Sequence, residues 1–144
     1  PQVRSAQIPG ANISASARAL AKHYAALIGE VDGGRLLSET QLERILSNRV
    51  DFSDLFINEV FSTSQATPRA LAYMLNTGNI KDQSFYGPNL GAFGHDGYGG
   101  AFGHADPEAK IGLGYTKTLL YGALPQDAEG ASKVRLIRTI YENL

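Results

Sequence analysis

The residues best suited to chemistry lie together in one run, Phe93-Gly94-His95-Asp96-Gly97-Tyr98-Gly99-Gly100-Ala101-Phe102-Gly103-His104-Ala105-Asp106-Pro107. A histidine near the end of a strand with glycines close on both sides has its imidazole free to face a cleft, and the neighbouring backbone N–H groups stay open to a ligand. Such a layout positions an oxyanion. On the residues alone a second reading stands beside it, in which the glycines serve only sheet curvature and tight turns and His95 bonds locally. His95, Asp96, His104 and Asp106 are all ordinary zinc or iron ligands, but adjacent strand residues point to opposite faces, so His95 and Asp96 do not share one ion. No metal and no cofactor is expected. His104 is expected at a turn or surface, and His23 at the surface or a boundary.

The rest of the chain limits the choices. Its 144 residues suit one compact domain or part of one. With 13 Lys plus Arg against 14 Asp plus Glu the net charge is -1, so no broad positive field holds polyanions and nucleic acid is not an expected partner. The lack of any cysteine excludes disulfides, thiolate metal sites and a cysteine nucleophile. No stretch approaches the roughly 18 apolar residues of a membrane span, and the compartment stays open. The chain begins at Pro1 without an initiator Met, so that residue reads as a cut point within a longer polypeptide.

The elements that must position the run follow from apolar spacing. Ala17, Leu20, Tyr24, Leu27 and Ile28 recur at three- and four-residue intervals and predict a helix over 14–28, capped by Ser14 or Ser16 and stopped by Gly29. Ser38 and Gln41 form a capping-box pattern ahead of a helix near 39–48 with Leu42, Ile45 and Leu46 inward. Residues 51–64 fit a helix or an irregular apolar segment equally, and 70–75 a strand or a helical turn. From Gly87 onward glycine alternates with Phe93, Phe102, Ile111, Leu113 and Tyr115, and this density opposes helix. An antiparallel meander is expected, with strands over 90–95, 100–104 and 111–119 and a turn over 105–110 opened by Asp106-Pro107. Asp127 would cap a last helix with Val134, Ile137, Ile140, Tyr141 and Leu144 on its buried face and Lys133, Arg135, Arg138 and Glu142 mostly solvated. Tyr24, Phe56, Phe61 and Tyr73 are expected in packing. The fold class is α+β: N-terminal helices, a three-stranded antiparallel meander, then a C-terminal helix, divided as a mainly helical segment 1–86 and a strand-plus-helix segment 87–144.

These residues carry a resemblance. Gly87-Pro88-Asn89, Ala92-Phe93-Gly94-His95-Asp96-Gly97, Gly99-Gly100 and Ala105-Asp106-Pro107-Glu108, in that order, resemble the C-terminal signature of the serine β-lactamase and penicillin-binding-protein superfamily, in its class C-like esterase branch. That superfamily uses a Ser-x-x-Lys, a Tyr-x-Asn or Ser-x-Asn, and a Lys-Thr-Gly that becomes His-x-Gly in the esterase-like branch, the motif matched by His95-Asp96-Gly97. The segment 16–38 is similar to the helical lobe that precedes this motif, and about two thirds of the chain is covered. The resemblance implies that the three strands form the middle of a five-stranded sheet. It also implies that His95 stands beside the catalytic serine, that the Tyr98 N–H is the strand half of the oxyanion hole, and that Gly97 leaves room for the acyl group. Preorganised donors of that kind contribute about 2.7 to 4 kcal/mol to the transition state.

The departures point outward. No serine from Ser5 to Ser132 begins a Ser-x-x-Lys, and the one Tyr-x-Asn, Tyr141-Glu142-Asn143, lies after the third motif, on the wrong side of it. The resemblance therefore implies the C-terminal part of a larger serine hydrolase acting on a small-molecule ester, amide or lactam, inert alone, whose partner is the N-terminal part of the same domain. Tyr98 and Asp96 depart from the small or hydroxylated residues usual there. A carboxylate in the pocket would favour an uncharged ester over an anionic β-lactam. The alternatives are a non-catalytic module that binds a ligand or partner, and a homo-oligomer formed through strand edges left unpaired.

Overall fold

The computed structural model describes residues 5, 13–52, 67–71, 73–80, 84–97, 99–119 and 132–144. Helix α1, Ala17–Ile28, starts where Ser16 Oγ accepts the Ala19 N–H at 3.2 Å and ends where the Gly29 N–H reaches Ala25 O at 2.9 Å. Helix α2, Glu39–Ser47, opens on the expected capping box: Ser38 Oγ accepts the Gln41 N–H at 3.2 Å and Gln41 Oε1 accepts the Ser38 N–H at 2.9 Å. Between them Asp32 and Gly33 take φ of 52° and 79°, the left-handed pair of a tight turn whose ends, Val31 and Gly34, pair as a bridge.

Six antiparallel strands follow in sequence order: β1 Arg49–Phe52, β2 Thr67–Ala70, β3 Tyr73–Leu75, β4 Phe93–Asp96, β5 Phe102–Asp106 and β6 Ile111–Tyr115. The fold is α+β, closed by helix α3, Ser132–Tyr141. The sheet differs from expectation in two ways. Residues 70–75 are neither one strand nor a helical turn but parts of two strands, because Leu71 turns the chain at a φ of 52°. The meander β4 to β6 consequently forms one end of a six-stranded sheet, not the middle of five, among the described residues. Strand ends also shift. The Ala92 N–H bonds Asn89 O at 3.1 Å, so 89–92 is a turn and β4 starts late. The carboxylate of Asp106 accepts the N–H groups of Glu108 and Ala109 at 2.9 and 3.1 Å, so the turn opens after Asp106, not at Ala105.

Alternation along the strands gives the sheet two unlike faces. On one, Phe93 and Ala105 pack with Tyr24 and Leu27 of α1, Leu42 of α2, Ala70 and Leu75, and Tyr73 meets Phe93 edge-on at 5.1 Å between ring centroids. Here α1 lies almost on the strand backbone: a Cβ added at Gly112 would sit 2.4 Å from Ala25 N, and one at Gly114 2.4 Å from Ala17 O. On the other face Phe102, Leu113 and Tyr115 pack with Phe85 and with Val134 and Ile137 of α3, so α3 rests on large side chains. Tyr24 and Tyr73 are packing residues as expected; of the segment 51–64, residues 51–52 are the end of β1, paired with β2, and neither helix nor irregular, while 53–64, with Phe56 and Phe61, and the Asp127 cap lie outside the described residues. Leu144 is a correction, since it is 76% exposed beyond the end of α3 instead of buried with Val134 and Ile137.

Candidate active site

Strand β4 pairs His95 with Gly103, Asp96 with Phe102 and Gly94 with His104. This register puts His95 on the α1 face, opposite a residue without a side chain, and leaves the histidine exposed. Directly after Asp96 the chain turns: the Gly97 N–H donates to Ala101 O at 2.7 Å and the Gly100 N–H donates to Gly97 O at 2.8 Å, with Gly100 at a φ of 87°. The turn 97–100 thus sits beside the imidazole. Gly97 is exposed, and a Cβ there would press on Ala101 O at 3.3 Å, so the reverse turn itself already favours glycine. Tyr98, the third expected site residue, lies outside the described residues.

Asp96 is not a pocket residue, contrary to the expectation from its place in the motif. It points through to the α3 face, where Lys133 Nζ donates to both carboxylate oxygens at 2.7 and 2.9 Å and the Tyr86 hydroxyl donates to Oδ1 at 3.0 Å. The paired side chains are 12% and 15% exposed. The charge is spent there, which removes the argument that it repels anionic substrates. Lys133 itself was expected in solvent, yet its ammonium lies 4.0 Å from the Tyr86 ring centroid. Burial pushes its pKa down while Asp96 pulls it back up. Burial, with the Asp96 charge second, also holds the Tyr86 phenol well above its usual range.

His104 is likewise a correction: it is 1% exposed, with Phe102 stacked on it and Tyr86 tilted against it, and neither ring nitrogen has a partner among the described residues. It is buried because β5 runs on through Asp106, which carries position 104 into the middle of the sheet. Burial, helped by the Lys133 charge and opposed by Asp106, lowers its pKa to about 4. His23 is exposed, as expected. Asp96, Lys133, Tyr86 and His104 therefore form one buried cluster behind the strand that presents His95. The helical interval gave a signal for it, since Lys133, Ile137 and Tyr141 recur every four residues and share a stripe.

Two further polar side chains hold the loop that carries Tyr86. Asn76 Nδ2 donates to Gly87 O at 2.8 Å and Asn89 O at 2.7 Å, while its Oδ1 accepts the Tyr86 N–H at 3.0 Å. Asp106 accepts Asn89 Nδ2 at 2.9 Å and the Tyr141 hydroxyl at 2.5 Å, joining that loop to α3. A groove of roughly 340 Å3 lined by Gly78, Phe85, Gly87, Ile137 and Tyr141 opens on this α3 side and contains none of the expected site residues. No three His, Asp or Glu side chains among the described residues are grouped to hold a metal ion.

The chain and its fold have counterparts among known proteins. A family model described as Beta-lactamase matches residues 1–135, nearly the whole chain. The chain belongs to the beta-lactamase family. It is 33% identical over 126 residues to the Esterase/beta-lactamase LipL of Mycobacterium tuberculosis, an alignment covering 83% of this chain and 25% of that protein. Among solved structures, a family VIII carboxylesterase superposes with a TM-score of 0.75 at 31% identity, over 98% of this chain and 35% of that one. A penicillin-binding protein homolog from Caulobacter crescentus gives a TM-score of 0.69 at 30% identity, over 90% and 32%. The chain thus spans a quarter to about a third of the length of these beta-lactamase-family relatives.

Proposed function

We propose that this chain is part of a β-lactamase-like serine hydrolase that cleaves small esters through an acyl-enzyme, with His95 lining the acyl pocket. The observation that carries this reading is the exposed imidazole at the end of β4, beside the turn 97–100, in a beta-lactamase-family chain. Ester cleavage is placed first because one solved neighbour is a carboxylesterase and LipL carries esterase beside beta-lactamase in its name, so a lactam remains the second substrate class. In the proposed reaction a serine hydroxyl, supplied by the N-terminal part of the same domain, adds to the substrate carbonyl carbon. The serine proton passes to a neighbouring base and from there to the alcohol that leaves. Water then adds to the acyl-serine and releases the carboxylic acid and the free serine. His95 donates a hydrogen bond at the carbonyl side of the substrate, and the Tyr98 N–H supports the developing oxyanion.

The test uses the full-length polypeptide that contains this chain. A fluorophosphonate probe is expected to label it, and His95→Ala is expected to lower nitrophenyl-ester turnover at least tenfold, about 1.4 kcal/mol of transition-state stabilisation. Equal turnover by the variant removes His95 from the site. A polypeptide that takes no label and turns over no ester supports the rival reading, a ligand-binding module.

A further inference from the structure

We infer that Lys133, on the face of the sheet away from His95, is a positioning residue that fixes the His95 rim through Asp96. The inference rests on the hydrolase reading for its kinetic consequence and on geometry for the rest. His95 and Asp96 are consecutive, so whatever orients one peptide unit orients both side chains, in opposite directions. Lys133 Nζ holds both oxygens of Asp96 at 2.7 and 2.9 Å, and Tyr86 holds Oδ1 at 3.0 Å. Beyond Asp96 positions 97, 99 and 100 are glycines, so none of the described residues of the turn offers a side chain to restrain it. The strand end that carries the imidazole is therefore tethered from behind.

A buried ion pair adds little net stability over an apolar pair of the same shape, because desolvation offsets the attraction. It does restrict geometry, since a carboxylate gripped on both oxygens and capped by a phenol tolerates little rotation. Docking of α3 does not depend on this pair. Val134 and Ile137 are buried against Phe85 and Phe102, and Tyr141 is bonded to Asp106. Removing the ammonium should thus leave the helix in place and free the strand end.

The experiment compares Lys133→Met, Lys133→Arg and the double variant Asp96→Asn/Lys133→Met in the full-length polypeptide. Two readouts are used: kcat and KM for a nitrophenyl ester, and hydrogen exchange of the Gly97 and Gly100 amides. Lys133→Met is expected to lower kcat about tenfold with KM changed less than twofold, and to speed exchange at both amides about tenfold. Lys133→Arg, which can still grip both oxygens, should stay within threefold of the parent in both readouts. If the pair matters only because a lone Asp96 charge is left buried, the neutral double variant restores kcat and amide protection, and that result overturns the inference. So does a Lys133→Met protein within twofold of the parent in both readouts. Failure of the hydrolase reading is seen separately, as absence of fluorophosphonate labelling in the parent. In that event the exchange of Gly97 and Gly100 decides the anchoring alone.

Discussion

Gly112→Val is expected to lower the stability of the protein by about 3 kcal/mol or more, at the upper end of what overpacking costs. The reason is the nature of the atoms a side chain would meet. A Cβ at position 112 falls 2.4 Å from the Ala25 nitrogen and 2.6 Å from its Cα, both helix backbone, so relief requires α1 as a whole to lift from β6. Lifting it uncovers Tyr24 and Leu27, now 5% and 3% exposed. At Gly103 the obstacles are side chains, the Tyr24 ring and Leu20, which yield more cheaply than backbone. A Cβ at Gly91 would meet no atom of the described residues within 4 Å. Urea unfolding should therefore rank Gly112→Val as worst, Gly103→Ala as intermediate and Gly91→Ala within about 0.5 kcal/mol of the parent. A Gly112→Val protein as stable as the Gly91→Ala control contradicts the close seating of the helix.

The second large effect concerns acid. His104 is neutral beside Tyr86 and Phe102, with no acceptor or donor at either nitrogen among the described residues and a pKa lowered to about 4, chiefly by burial. Unfolded, the same imidazole takes a proton near its ordinary 6.5. Above that value both states are neutral and pH has no effect through this group. As the pH falls from 6.5 toward 4 the unfolded chain gains a proton that the native protein refuses, so stability is lost, in all about 3 kcal/mol. Acid also acts on a protein through its carboxylates in general, and for that reason the comparison is with His104→Phe, which keeps every one of them. Between pH 7 and pH 4.5 the parent's urea midpoint should fall more steeply than the variant's. Parallel curves would show that His104 is not buried neutral. At pH 7 His104→Phe should be no less stable than the parent, because two buried polar atoms without partners disappear.

Much of this was legible in the residues. Ser16, Gly29 and the Ser38–Gln41 box marked helix ends with local hydrogen bonds that need no tertiary partner, and the structure keeps each of them. The meander was legible because glycine density and alternating apolar residues leave few other options. His95 was singled out because its glycine setting and the ordered motif pieces agreed, and the structure leaves it exposed at the end of β4. What escaped was set by long-range partners. Lys133 reads as a solvated cation until Asp96, 37 residues earlier, stands behind it. His104 reads as a turn residue until β5 is seen to run two residues further, and that extension depends on Asp106 capping the next turn with its own carboxylate. Strands β1 and β2 were hidden, and β3 was visible only as one alternative for 70–75, because each is only three or four residues long and one of them contains Pro68.

The contrast between the two helix seats limits how such a protein can be remodelled. Where α1 meets β5 and β6 there is no spare volume, so swapping residues beneath that helix trades directly against folding. The opposite layer meets its helix through whole side chains, Phe85 and Phe102 against Val134 and Ile137, with a groove of roughly 340 Å3 beside them. Under the hydrolase reading proposed above, the places left to vary are the short reverse turn beyond Asp96 and the lysine layer behind it. A library aimed at new acyl preferences should randomise those two places and leave the glycines under α1 alone.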